Sequence, residues 1–414
     1  MRFDTTYYLK ARAELSKPFK RVSGCFAFFL MVALIIGPLN SAGAEKPESD
    51  RDVKQRLTEI EEIEEEEDDA QERVGTLNPL IQEIFGEKVR LNGGFELNYE
   101  YLDVKDIDDE NSGSSSDVYI STVELALRVF FNDWSKAKIV VTAEDIHRTG
   151  DDETINLDEA IVTLKSLQLP LYFIGGKTVM PFGVFEDHLI EGTLTEDLYE
   201  VDEWGATLGV NPDFYGLDIS VSVYKSPQVI ENLQNFDTHE WRSGRQKEDK
   251  FRSYIANITL EPLEDTLTLS AFYDNEPGDG SRNQSIGGAF TLNYWDFSLD
   301  AEHITALERE KGANGTENKE SATVVGIAFD VLDALQLATR YGVFDDDNPG
   351  DQDEVLDYQF VAGFNYSLLE VADFSSLTEA LFSFEYRYSN YEKERDSKAT
   401  NSQNMFMFQL SLGF

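Results

Sequence analysis

The sequence predicts an all-β chain, a transmembrane antiparallel up-and-down β-barrel of about 16 strands, and three observations carry that prediction. The last stretch, Asn404 to Phe414, alternates: Phe406, Phe408, Leu410, Leu412 and Phe414 share one face, and Met405, Met407, Gln409, Ser411 and Gly413 the other. Left as a free edge, such a strand invites aggregation, whereas closing the sheet on itself removes the edge. From Val89 onward, strand-like segments are joined alternately by tight turns and by long polar connections. Finally, no apolar run after Ala44 is long enough for a membrane helix, and a barrel, in which only alternate residues meet lipid, is the membrane architecture compatible with that.

Taken in order, residues 1–44 read as a cleaved signal peptide. Arg2, Lys10, Arg12, Lys17, Lys20 and Arg21 precede an apolar core from Cys25 to Ile36, a break at Gly37-Pro38 and the small residues Ala42-Gly43-Ala44. The core is shorter than the roughly 20 residues needed to span a bilayer. Cys25, the only cysteine, leaves with it, which excludes disulfides, thiolate metal sites and cysteine nucleophiles from the mature chain. Residues 45–86 form a distinct periplasmic acidic helical segment, with Val53, Leu57, Ile60 and Ile63 at helical spacing before the acidic run Glu64 to Asp69. Two readings stay open there: a coiled coil that trimerises the protein into a homotrimer, or a solvated single helix.

Residues 87–414 supply sixteen candidate strands, at 89–104, 117–131, 135–148, 154–165, 171–177, 201–210, 216–225, 251–261, 265–274, 284–295, 296–306, 321–331, 334–344, 355–366, 379–389 and 403–414. The even-numbered connections are mostly tight, as at Trp295-Asp296 and Leu332-Asp333; most of the odd-numbered ones are long and polar. Short periplasmic turns and long outer loops produce that asymmetry. Outward candidates such as Val123, Leu125, Ile139, Val221, Phe360, Phe384 and Tyr386 include no ionisable residue. The complementary face carries Glu96, Glu124, Arg128, Lys138, Glu144, Asp218, Asp300, Glu302, Arg340, Asp357, Glu385 and Arg387, which predicts a wet lumen. Sixteen strands are enough to enclose an aqueous channel.

Charge and motifs narrow the chemistry. Beyond Ala44 the chain keeps 29 basic against 77 acidic residues, a balance that repels nucleic acid and attracts cations. The four histidines, His147, His188, His239 and His303, are far apart and lack any hydrolase or zinc-protease spacing, so no catalysis and no cofactor are expected. The run Asp345 to Asp351 mimics a calcium loop, yet Pro349 occupies a ligand position and Leu356 stands where the closing Glu belongs.

The most individual segment is Lys177 to Glu203. Apolar residues in an outer loop need somewhere to pack, so Phe182 and Phe185, with Glu186 and His188, either enter the lumen as a constriction or cap the barrel rim. Gly175-Gly176-Lys177, Pro181-Phe182-Gly183, Phe185-Glu186, Leu194-Thr195 and Glu203 resemble the corresponding segment of the LbtU-type siderophore porins. That resemblance implies a TonB-independent outer-membrane porin taking up ferric siderophore, although the proline that often precedes the Leu-Thr pair is missing and Lys177 stands where Arg is common. The alternatives are a general cation-preferring diffusion porin, or a structural or adhesive barrel. Candidate pore-lining or solute-binding residues are Arg128, Lys138, Glu144, Lys177, Phe182, Phe185, Glu186, His188, Arg340, Asp357 and Arg387. The expected surroundings are outer-membrane lipid and lipopolysaccharide, and the expected ligand is a small solute.

Overall fold

A computed structural model describes the chain from Lys88 to Phe414, apart from 106–111, 150–153, 213, 237–249, 313–314, 316, 347–354, 371–376 and 393–399. The signal peptide and the acidic helical segment expected over 1–86 lie outside the described residues, as does most of the calcium-loop mimic.

Sixteen antiparallel strands close into one barrel. They are β1 (Val89–Lys105), β2 (Gly113–Asn132), β3 (Ser135–Ile146), β4 (Thr154–Lys165), β5 (Leu171–Val179), β6 (Asp202–Val210), β7 (Asp218–Ser226) and β8 (Lys250–Leu263), followed by β9 (Leu267–Pro277), β10 (Arg282–Tyr294), β11 (Phe297–Glu308), β12 (Glu320–Leu332), β13 (Leu335–Asp346), β14 (Val355–Ser367), β15 (Glu379–Glu392) and β16 (Thr400–Gly413). Each strand pairs with its sequence neighbours, and β16 returns to β1 with Leu410 opposite Leu97, Phe408 opposite Tyr99 and Phe406 opposite Tyr101. Two backbone bonds between Gly93 and Phe414 (3.0 and 2.9 Å) finish the seam, so the carboxy-terminal phenylalanine leaves no free edge.

Period-two alternation sorts the side chains as predicted. On β2 and β3, Leu125 (47% exposed) and Ile139 face out while Ala126 and Val140 (both 3%) face in. On β16, Phe406 and Phe408 are exposed and Met407 is fully buried. The outer face of β14, β15, β16 and β1 is a continuous aromatic sheet in which Phe364, Phe384 and Phe408 meet in sequence at 5.7 and 4.9 Å. Tight turns gather at one end; Asp265 and Trp295 take left-handed φ values of 55° there, the twist that short hairpins require.

One expectation needs correcting: the lumen is wet on one side only. Two short helices, α1 (Leu194–Tyr199) in the β5–β6 connection and α2 (Val229–Asn235) in the β7–β8 connection, turn inward. Leu194, Leu198, Tyr199, Val229, Ile230 and Leu233 pack there on inward-facing Ile255, Phe272, Ile304, Ala322, Val324 and Phe344. Burial of large apolar side chains drives that collapse, at about 1.5 to 3 kcal/mol for each one fully buried. The inward faces of β8 to β13 are mixed, with Ile255, Phe272, Ile304, Ala322, Val324 and Phe344 set among polar neighbours, so alternation alone does not mark the dry side.

Candidate functional site in the lumen

The β5–β6 connection, 180–201, is the structural centre of the lumen. Its base is closed by the Met180 N–H donating to the Val201 carbonyl (2.8 Å). Met180 tucks beneath the loop beside Gly205, where an added Cβ would lie 2.3 Å from the Met180 methyl. Phe182, fully buried, meets Phe272 edge-on at 5.2 Å and Tyr199 at 6.3 Å. Gly183 then turns the chain with a φ of 99°, a conformation that side chains resist.

Beyond this anchor the loop crosses to the far wall. Glu302 of β11 accepts the Val184 N–H (2.7 Å) and the Thr195 hydroxyl (2.6 Å), and Asp300 meets His188 at 3.0 Å. Asn365 of β14 donates to the His188 carbonyl (2.8 Å), and Glu385 of β15 accepts the N–H groups of Ile190 and Glu191 (2.9 and 3.1 Å). Arg340 of β13 donates to the carbonyls of Glu191 and Gly192 and pairs with Asp187 at 2.5 Å. The buried charges of Glu302, Arg340 and Glu385 are tolerated because they are spent on main-chain groups that would otherwise be orphaned. Thr193 and Glu196 then form a reciprocal capping box that starts α1. The second inward loop joins the first through Asn232, whose amide donates to the Glu200 carbonyl at 2.8 Å.

In a closed ring of sixteen strands, β5 and β13 lie eight strands apart, on opposite walls. The loop therefore divides the lumen. On its dry side lies the apolar cluster; the walls of the other side, β14 to β16 and β1 to β4, are polar. Lys138 pairs there with Glu159 at 2.5 Å, Arg148 with Glu100 at 3.0 Å, and Arg387 with Glu385 at 3.0 Å and Glu191 at 3.8 Å. Asn156 donates to Glu144 at 3.1 Å, and the Tyr119 hydroxyl to Glu100 at 3.2 Å. A cavity of about 360 Å³ opens near the tight-turn end, lined by Glu96, Glu124, Arg128, Lys138, Glu379 and Ser411 among others.

Along the loop the charge is one-sided. Glu186, Asp187, Glu191, Glu196, Asp197 and Glu200 are acidic, with no lysine or arginine among 180–201. Burial pushes the Glu200 carboxyl up to about 7, reinforced by Glu196, Asp202 and Asp158. The Asp197 side chain is reached by lumen water, yet the enclosing protein raises it to about 6; Glu191 and Glu196 add to the rise and Arg387 opposes it. Burial, then the neighbouring Asp300, raises Glu186. His188 is raised by its hydrogen bond to Asp300, against the opposing effect of its burial.

The residues singled out from the sequence fall into four groups. Arg128, Lys138 and Glu144 lie on the inward face of β2 and β3, and Arg340 and Arg387 hold or flank the loop. Phe182 is sealed in the apolar cluster, while Phe185, Glu186 and His188 sit on the loop against β11. Asp357, at a bulge near the long-loop end of β14, accepts from Asn390 at 3.4 Å. Lys177 is the exception: it pairs in register with Ala160 and Trp204, on the outward face with Phe173, and binds Asp202 and the Asp158 carbonyl. Alternation from Leu171 and Phe173 already placed it there. Among the residues that hold the loop, Asn365 carries no signal in the sequence, and Glu302 and Glu385 are legible there only as inward charges.

No protein-family model matches this sequence, and no curated protein does. Solved structures do share the fold. An anion-selective porin from Comamonas acidovorans superposes with a TM-score of 0.54 at 12% identity, over 79% of this chain and 99% of that one. The outer membrane channel DcaP of Acinetobacter baumannii gives 0.55 at 14%, over 78% and 96%. Salmonella typhi OmpF, in complex with daunomycin, gives 0.54 at 14%, over 79% and 97%. The fold is that of the sixteen-stranded outer-membrane porins.

Proposed function

We propose that the chain is an outer-membrane porin that lets small solutes diffuse through the polar half of its lumen, with a preference for cations. The observation that carries this reading is the acidic inner loop opposite a wall on which Lys138, Arg148 and Arg387, though not every basic residue there, are each paired with a carboxylate. Fixed charge of one sign in a confined aqueous path favours counter-ions. The apolar outer belt suits lipid, and the porin-like fold supports an outer-membrane location with lipopolysaccharide around the long loops; the basic-then-apolar pattern of residues 1–44 supports export by a cleaved signal peptide. A homotrimer fits the same reading.

Uptake of ferric siderophore is the finer reading, supported by the resemblance around Pro181-Phe182-Gly183. In the barrel, Phe182 of that motif is sealed against Tyr199 and Phe272, so its contribution is to anchor the loop. The solute would have to be read by Arg128, Lys138 and the loop carboxylates instead.

Purified full-length protein in planar bilayers under a salt gradient tests the proposal. A cation-signed reversal potential that shrinks in Glu196→Gln/Glu200→Gln is expected; anion preference, or no conductance as a purely structural or adhesive barrel would give, overturns it. Iron-limited growth of a deletion strain, with and without added siderophore, tests the finer reading, which fails if the deletion has no effect.

A further inference from the structure

The second inward loop is seated by a polar cluster that conduction does not use. Asp274 (1% exposed), Glu276 (0%) and Tyr224 (0%) lie together on the inward faces of β9 and β7. The Tyr224 hydroxyl oxygen is 2.7 Å from Asp274 Oδ1 and 3.0 Å from Glu276 Oε1. Glu276 also faces the N–H groups of Gln228, Val229 and Ile230, at 2.7, 3.1 and 3.4 Å, where α2 begins.

Counting protons settles which carboxyl is ionised. A phenol has one proton to donate, yet it sits within hydrogen-bond distance of two carboxyls, so one of them must donate to it. Glu276 meets only donors from α2, as a carboxylate requires. Asp274 has a second oxygen, Oδ2, buried and without a hydrogen-bond partner. A buried carboxylate oxygen left so is costlier than the carbonyl oxygen of a neutral acid that donates through its other oxygen. Among the described residues, the cation acting on Asp274 is Arg309, which is itself bound to Glu320, to Ser285 Oγ and to the carbonyls of Gln284 and Glu308. Glu320 in turn accepts from Tyr199. Among the described residues, the charged and titratable groups around Asp274 are thus Glu276 from its own strand, Tyr224 from β7 and Arg309 from the β11–β12 connection, with Glu320 and Tyr199 behind the arginine.

We propose that Asp274, Tyr224 and Glu276 form a buried proton-holding site that seats α2: at neutral pH the proton resides on Asp274, which donates to Tyr224, which donates to Glu276, which receives the start of the helix. Loss of that proton to water at alkaline pH sets two carboxylates on one hydroxyl. The relay then cannot satisfy both, and α2 comes away from the wall.

The test uses the full chain refolded in detergent, its barrel verified by circular dichroism and heat-modifiable migration. The infrared difference between wild type and Asp274→Asn at neutral pH should contain a protonated-carboxyl C=O band that moves on exchange into heavy water; absence of the band overturns the proposal. Should Asp274→Asn not assemble, Tyr224→Phe removes the proton's acceptor and must shift or abolish the band, and an unchanged band is the contrary result. Hydrogen exchange of the 228–236 segment should quicken at least tenfold between neutral and alkaline pH beyond the intrinsic rate in wild type, and not in Asp274→Asn, whose amide donates to Tyr224 without titrating. Equal behaviour of the two overturns the seating role, whether or not the barrel conducts.

Discussion

Arg340 of β13 and Glu191 of the inner loop, 149 residues apart in sequence, are joined by a guanidinium-to-carbonyl hydrogen bond of 2.9 Å. The same side chain is 4% exposed and also holds Gly192 and Asp187. Arg340→Ala leaves the Asp187 carboxylate, among the described residues, with only the Leu189 N–H (3.0 Å) and takes the guanidinium donor from two carbonyls. Breaking a buried pair costs about 3 to 5 kcal/mol, drawn here from the seating of the loop and not from the barrel. Larger and noisier single-channel conductance is expected, with unaltered heat-modifiable migration; unchanged conductance would mean that the remaining clamps at Glu302 and Glu385 suffice.

Face assignment predicts a sharp contrast in membrane assembly. Leu125→Lys and Phe384→Lys put a charge on the lipid side, at about 2 to 4 kcal/mol near mid-depth. Gln409→Lys points inward, beside Glu96, to which Gln409 now donates at 3.3 Å. Folding into lipid vesicles, followed by gel shift, should fall for the first two and hold for the third.

Ion selectivity should depend on pH. A carboxyl with a raised pKa stays neutral to higher pH, so Glu200, at about 7, and Asp197, at about 6, are charged above that window and lose their charge in turn as the pH falls through it. Cation preference, read from the reversal potential, should therefore decline between about pH 7 and 6, and Glu200→Gln should remove the upper part of the decline.

Gly205 tests the base of the loop. A side chain there meets the Met180 methyl at 2.3 Å and the Val223 carbonyl at 2.8 Å, and the second of these cannot swing away. Gly205→Val should cost about 1 to 3 kcal/mol as an overpacked site and expose the loop to protease while the strands stay protected.

How much of this was legible beforehand follows from the range of each interaction. Strand positions and the outward belt arise from alternation between adjacent residues, and 154–165 emerges with the bounds read from its pattern. The start of α1 carries a local signal too, the four-residue capping box from Thr193 to Glu196, which is not among the sequence expectations, and the inward turn of the helix has no local signal. Lys177 was misplaced because it was read within a loop motif instead of along its own strand.

The sequence by itself determined that alternate side chains face outward and into the lumen, because period two is a property of the extended backbone wherever it lies. Only the tertiary structure decided where the inner loop goes and which half of the lumen stays open. Glu302, Arg340 and Glu385 recognise main-chain N–H and C=O groups, which every residue carries alike, so no pattern of side chains could name their partners before the barrel closed.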